Sequence, residues 1–181
     1  MSYSRIVFLD FDGVMTSVSD GSSHLCRNPS TYRMSPICQK WISKLWKEVP
    51  DVKVVLSTSW LKYPDLEEAV WKPQSGGEYK CHVVELISWL TEQGVYLDCV
   101  NYYSDTSKFG RIMTWIHRNN GLVDQDTKFL VLDDDSSRYN LLQMFNVADE
   151  LDYGKYRFIE TDPIVGFDEE CLKKSIEFFR S

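Results

Sequence analysis

Apolar residues in this chain fall into two kinds of run, and the two alternate. Short continuous runs close abruptly on polar residues. Ile6 to Leu9 ends in Asp10, Val54-Val55-Leu56 ends in Ser57-Thr58-Ser59, and Phe129 to Leu132 ends in Asp133-Asp134-Asp135. Runs of this length, bounded by turn residues, read as buried strands. Between them, apolar residues return at helical spacing: Ile37, Trp41, Leu45 and Trp46; Val83, Leu86, Ile87 and Leu90; Phe109, Ile112, Met113 and Ile116. These read as helices with one face turned to a core.

The pattern predicts strands at 5–10, 52–56, 95–100, 129–132 and 156–159. It predicts helices from Ser35-Pro36 to Pro50, over 64–71, over 82–93, from near Ser107 to Gly121, and over 168–179. Ser35 is an N-cap followed by proline at the first helical position, Gly94 lies just past the third helix, and acidic residues open the last. A Gly/Ser-rich loop is expected at 17–32 and a Pro/Gly loop at 72–80. Strands alternating with helices imply βαβ units, hence an α/β fold with a parallel sheet of about five strands. Right-handed crossovers place every strand's C-terminal end on one edge, where such sheets bind ligands.

The length of 181 residues fits a single domain with a substantial core, and 43% apolar with 26% charged residues is ordinary for a globular protein. The formal charge of −7 supplies no long-range attraction to nucleic acid, although a local basic groove is compatible with it. No stretch approaches the roughly 20 apolar residues of a membrane span. The first residues carry no signal-peptide pattern, so a cytoplasmic protein with no membrane partner is expected. The cysteines (Cys26, Cys38, Cys81, Cys99, Cys171) are odd in number and lack a Cys-x-x-Cys pair, which reads as reduced thiols. His24, His82 and His117 show no ligand spacing, so zinc is not indicated. The adjacent Cys81-His82 pair reads as packing.

Chemistry is concentrated at the predicted strand ends. Asp10 and Asp12 stand two residues apart before Gly13. Two carboxylates held close together bind a divalent cation or divide acid and nucleophile roles. Asp-Gly is also a common turn pair, so the other strand ends serve as the check. The second ends in hydroxyl residues and the fourth in three acids. Lys108, in the first turn of a helix, works against the helix dipole. A solvated surface lysine is the ordinary reading, but an acidic cluster on the same edge would need a counter-charge.

In this order, the four features resemble the haloacid dehalogenase (HAD) superfamily of phosphotransferases. Asp10, Asp12 and Gly13 match its first motif, Ser57 its second, Lys108 its third, and Asp133 and Asp134 its fourth, over positions 6–135. Leu-Ser-Thr-Ser-Trp at 56–60, Lys108…Trp115-Ile116, Leu-Asp-Asp-Asp at 132–135 and Thr-Asp-Pro-x-x-Gly-Phe at 161–167 are similar to small HAD domains of bacterial and phage proteins, some fused to RNA-repair enzymes. Small HAD proteins of the deoxyribonucleotidase type share the Thr-Ser pair at the second motif.

The resemblance implies a three-layer Rossmann-like HAD fold with a minimal cap, and a Mg2+-dependent phosphohydrolase. Asp10 would be the nucleophile and Asp12 the general acid and base. Mg2+ would be held by Asp10, the backbone carbonyl of Asp12 and Asp134, with Asp133 in support or in the reverse order. Ser57, Thr58 and Lys108 would hold the phosphoryl oxygens. Asp135 would cap the next turn, and Arg138 would touch substrate or lie at the surface. A dehalogenase is disfavoured, since that branch lacks the second Asp. HAD caps are inserted after the first or second motif. Here the corresponding segments are the short loop 17–33 and the stretch 60–103, so an open site is expected. Such a site suits a small phosphorylated substrate such as a nucleotide, or a nucleic-acid end. Trp60, Tyr63, His24 and Arg27 are candidates for stacking on a base or binding a sugar, against the commoner packing role of aromatic residues. The alternatives are an enzyme acting on another phosphorylated metabolite and a protein that sequesters a nucleotide-like ligand on a HAD scaffold. The latter would not need both Asp10 and Asp12.

Overall fold

In the computed structural model each short apolar run becomes a strand of one parallel sheet. The structure describes residues 2–23, 25–26, 33–62, 77–101, 107–136 and 155–181, with the backbone alone at 60, 62 and 77–82. The strands are β1 (Arg5–Leu9), β2 (Lys53–Leu56), β3 (Tyr96–Cys99), β4 (Lys128–Asp133) and β5 (Lys155–Glu160), in the spatial order β3-β2-β1-β4-β5. β1 is central. Its Phe8 pairs with Val55 of β2 and Val131 of β4. Ile6, Val7, Phe8 and Leu9 are all fully buried, which is why the run is continuously apolar rather than alternating. The two outer strands are only partly buried.

Among the described residues four helices connect and cover the strands: α1 (Pro36–Glu48), α2 (Gly77–Glu92), α3 (Lys108–Arg118) and α4 (Glu169–Arg180). Their starts are chemically fixed. Ser35, Ser107 and Asp168 accept hydrogen bonds from the amides of Cys38, Gly110 and Cys171, satisfying N–H groups that have no partner within the helix. β1→β2→β3 runs to one side of β1, and β3→β4 returns to the other. Right-handed crossovers therefore put α1 and α2 on one face and α3 on the other, giving three layers. α4 packs on α1. On the α3 face, Trp115 meets the edge of Phe8 at 5.6 Å, Phe8 stacks on Phe129 at 6.2 Å, and Phe129 stacks on Tyr156 at 4.7 Å. This aromatic row fixes α3 over β1, β4 and β5.

The observed strands depart from the sequence expectation by a residue or so at their ends. Two helical expectations need correction. α2 begins at Gly77, so 77–80 is helix and not loop. Apolar periodicity starts only at Val83, which hides the first turn. Ile37 was expected on the core face of α1 but is 47% exposed, and Cys38, Ile42, Leu45 and Trp46 form that face instead. A 3-10 turn at Ser59–Lys62 follows β2. The helix expected at 64–71 lies outside the described residues. Among those described, no helix is long and apolar enough to cross a membrane.

One edge of the sheet is basic. In a parallel α/β fold, helix C-termini gather at the strand N-termini, and their free carbonyls and dipoles favour cations there. β1, β2, β4 and β5 each begin with Arg or Lys. Arg5 Nη1 donates to Pro50 O just beyond α1 (3.0 Å), and Lys53 Nζ donates to Gly94 O just beyond α2 (3.3 Å). Lys128 Nζ donates to Phe178 O and Phe179 O in the last turn of α4 (3.4 and 3.1 Å). Lys128→Met keeps the aliphatic stem and removes this cap. It should lower stability by about 1 kcal/mol, a helix-end charge effect at a half-exposed site, read as a lower urea midpoint with an unchanged slope. An unchanged midpoint would show that the contact does not hold α4.

Candidate active site

The opposite edge is acidic. Asp10 immediately follows β1, and its amide donates to Leu132 O of β4 (3.0 Å), which sets it beside Asp133. Lys108, the first residue of α3, donates from Nζ to Asp10 Oδ2 at 2.6 Å and to Asp133 Oδ2. The three residues are 4%, 3% and 0% exposed, so the solvated-surface reading of Lys108 does not hold. Burial pushes the Asp10 carboxyl up to about 7; Lys108 opposes this and Asp133 adds to it. Burial works against the charge on Lys108 as well, but the two carboxylates outweigh it and raise the ammonium above its ordinary value.

One carboxylate oxygen from each of Asp10, Asp133 and Asp134 lies within 4.8 Å of the others. Closely spaced oxygen donors of this kind suit a hard divalent cation. Asp12, half-buried on the turn that follows, stands outside that trio. Asp133 is heavily engaged: its Oδ2 takes Lys108, and its Oδ1 accepts from the Asp135 amide at 3.0 Å. Asp134 is partly exposed and presses against Gly13. Gly13 has φ +64°, and a Cβ there would fall 2.4 Å from Asp134 Oδ2, so both conformation and space require glycine.

Ser57 completes the site from the other side. Its amide donates to Leu9 O (2.9 Å), bringing the end of β2 against the end of β1. Ser57 is 1% exposed, and its hydroxyl has no hydrogen-bond partner among the described residues. A buried hydroxyl left without a partner is costly. Thr58 is fully buried beside it.

The structure thus brings together Asp10, Ser57, Lys108, Asp133 and Asp134 from four separate segments. Tyr63, His24, Arg27 and Arg138 lie outside the described residues, as do the side chains of Trp60, Cys81 and His82. Two features were not anticipated. Arg111, one turn beyond Lys108, is also buried, at 8% exposure; its spacing from Lys108 was visible, but nothing marked it as interior. Gly13 is pinned on both sides: its amide donates to Thr16 Oγ1 (3.0 Å), and its carbonyl accepts from Thr161 Oγ1 (2.7 Å).

A family model described as the HAD domain in Swiss Army Knife RNA repair proteins matches residues 6–172. The matched span holds every residue of this edge. No curated protein and no solved structure gives a significant match.

The buried charge triad makes a direct prediction. Lys108→Met leaves two buried carboxylates without their counter-charge, which should cost about 3–5 kcal/mol by urea unfolding. Lys108→Met with Asp133→Asn removes an acid along with the base and should recover part of that loss. Equal stability of wild type and Lys108→Met would mean that the triad does not hold the edge together.

Proposed function

Because the chain belongs to the family of HAD domains in Swiss Army Knife RNA repair proteins, we propose that it is a Mg2+-dependent phosphohydrolase acting through an aspartyl-phosphate. Its substrate is the phosphomonoester of a nucleotide or of a nucleic-acid end. The observation that carries this reading is the orphaned, buried Ser57 hydroxyl on the same sheet edge as Lys108 and Asp10. Together these groups set a hydroxyl and an ammonium on the edge that carries the proposed nucleophile. The family's link to RNA repair favours a nucleic-acid end over a sugar phosphate.

In this reading an Asp10 oxygen attacks phosphorus while the bond to the leaving oxygen breaks. Asp12 gives that oxygen its proton, then takes a proton from the water that attacks the aspartyl-phosphate. The bond from phosphorus to the Asp10 oxygen breaks, and phosphate and free Asp10 are restored. Ser57, Thr58 and Lys108 hold the non-bridging oxygens, and Lys108 offsets charge as it accumulates in the transition state. Asp10, the backbone carbonyl of Asp12 and Asp134 would hold the cation, with Asp133 as support because Lys108 and the Asp135 amide already occupy it. Bound there, Mg2+ would neutralise charge on the phosphoryl oxygens. The compartment proposed for it is the cytoplasm, a reducing one.

Release of phosphate from an aryl phosphate should require Mg2+ and stop with a chelator. Asp10→Asn should reduce turnover to background, and Asp12→Asn should lower kcat by about 10²–10⁴-fold. Survival of turnover in Asp10→Asn would remove it as the nucleophile. A panel of mononucleotides, sugar phosphates and 3′- or 5′-phosphorylated oligonucleotides should give its highest kcat/KM on an oligonucleotide end. A preference for a sugar phosphate would overturn the substrate assignment, and tight binding without turnover would favour a sequestering protein.

A further inference from the structure

We propose that Thr161 is a positioning residue for this reaction, clamping the Asp12-Gly13 turn onto the end of β4. The inference rests on the hydrolase reading above. Thr161 directly follows β5 and is 2% exposed. Its amide donates to Asp133 O (3.0 Å), and its hydroxyl donates to Gly13 O (2.7 Å). One residue therefore ties together the two strand ends that carry Asp12 and Asp133. The Thr16 hydroxyl takes the Gly13 amide, fixing the plane of the Asp12–Gly13 peptide from the other side. With both peptides flanking Gly13 held, the Asp12 backbone has little freedom to turn.

The residues after Thr161 extend the clamp along the chain that follows Gly13. The Phe167 amide donates to Val14 O (3.0 Å), the Ser19 amide to Ile164 O (2.9 Å), and Ser17 Oγ to Ile164 O (2.7 Å). Gly166, at φ +75°, sits so close that a Cβ would lie 2.4 Å from Cys38 Sγ and 2.8 Å from Thr16 O. The segment 161–167 is thus a strap laid across residues 13–19. Among the described residues no hydrogen bond joins Thr161 to Ser57 or Lys108, so it acts through Asp12 and not on substrate. A displacement of about 1 Å in such a group can cost about 10²-fold in rate.

The test is the leaving-group dependence of Thr161→Val, which keeps the branched shape and removes the hydroxyl. In the first step a poor alkyl leaving group needs the proton from Asp12 and 4-nitrophenolate does not. The second step needs Asp12 as base for both, so the split is read in kcat/KM, which reports the first step. Thr161→Val should lower kcat/KM about 10- to 100-fold on an alkyl phosphate such as a phosphorylated oligonucleotide. The loss of kcat/KM on 4-nitrophenyl phosphate should be much smaller. Thr161→Ser should restore the wild-type ratio of the two rates. Should Thr161→Val not fold, Thr16→Val breaks the same clamp from the other side and should give the same split. Equal losses on both substrates, tracking the folded fraction, would overturn the proposal. If the wild type hydrolyses neither substrate, the hydrolase reading fails, and amide hydrogen exchange still decides the clamp. Faster exchange at residues 13–16 in Thr161→Val supports it; unchanged protection there overturns it.

Discussion

The ammonium of Lys108 lies between Asp10 and Asp133, two carboxylates on neighbouring strand ends, and all three groups are withdrawn from water. Neither acid could be buried in its charged form alone, and the lysine could not be buried without them. The triad therefore couples three placements that the chain makes far apart: β1 beside β4, and the N-terminus of α3 above both. The aromatic row from Trp115 through Phe8 to Tyr156 presses α3 onto the same strands. Apolar packing thus sets the height of the helix, and the triad sets its position along the strands. A lysine at a helix start is electrostatically misplaced within its own helix; here it is stabilised by neighbours from two other elements.

The sheet is polarised along its strand direction, and both poles have the same origin. Parallel strands with returning helices collect helix C-termini at one edge and helix N-termini at the other. At the first edge Arg5 and Lys53 bind carbonyls just beyond α1 and α2, and Lys128 binds carbonyls in the last turn of α4. At the second, acids collect where helix dipoles favour negative charge. A net charge of −7 is therefore not spread evenly. The acidic edge repels a phosphorylated ligand unless a cation intervenes, which is the electrostatic reason a metal belongs in the proposed chemistry.

Much of this was legible in the sequence because the strand ends are local. Ile6 to Asp10, Leu56-Ser57 and Leu132-Asp133 each display a strand and its terminal chemistry in consecutive residues. Lys108 was legible as an anomaly, a cation where a dipole disfavours one. What stayed hidden depends on phase or distance. Ile37 and Cys38 are both apolar and adjacent, and a single-residue shift in phase decides which faces the core. The first turn of α2 precedes any apolar repeat. Thr161 meets Gly13 across 148 residues, and Lys128 meets Phe178 across 50. A hydroxyl at the end of a fifth strand resembles any other until its partner is known.

The distant contacts matter because the proposed catalytic groups stand just beyond the strands that carry them. β1 holds Asp10 through its ladder, but Asp12 and Gly13 lie past the last paired residue, Leu9. Beyond that point the backbone needs other restraints, and the sheet has none to offer on that side. Thr161 and the strap that follows it supply them, reaching back from the last strand to the first. Gly166 is the place where this back-contact demands glycine, since Cys38 Sγ and Thr16 O fill the space a side chain would take; at Gly13 it is Asp134, beyond β4, that fills it. The accuracy of a turn at the front of the chain is therefore set by residues near its back.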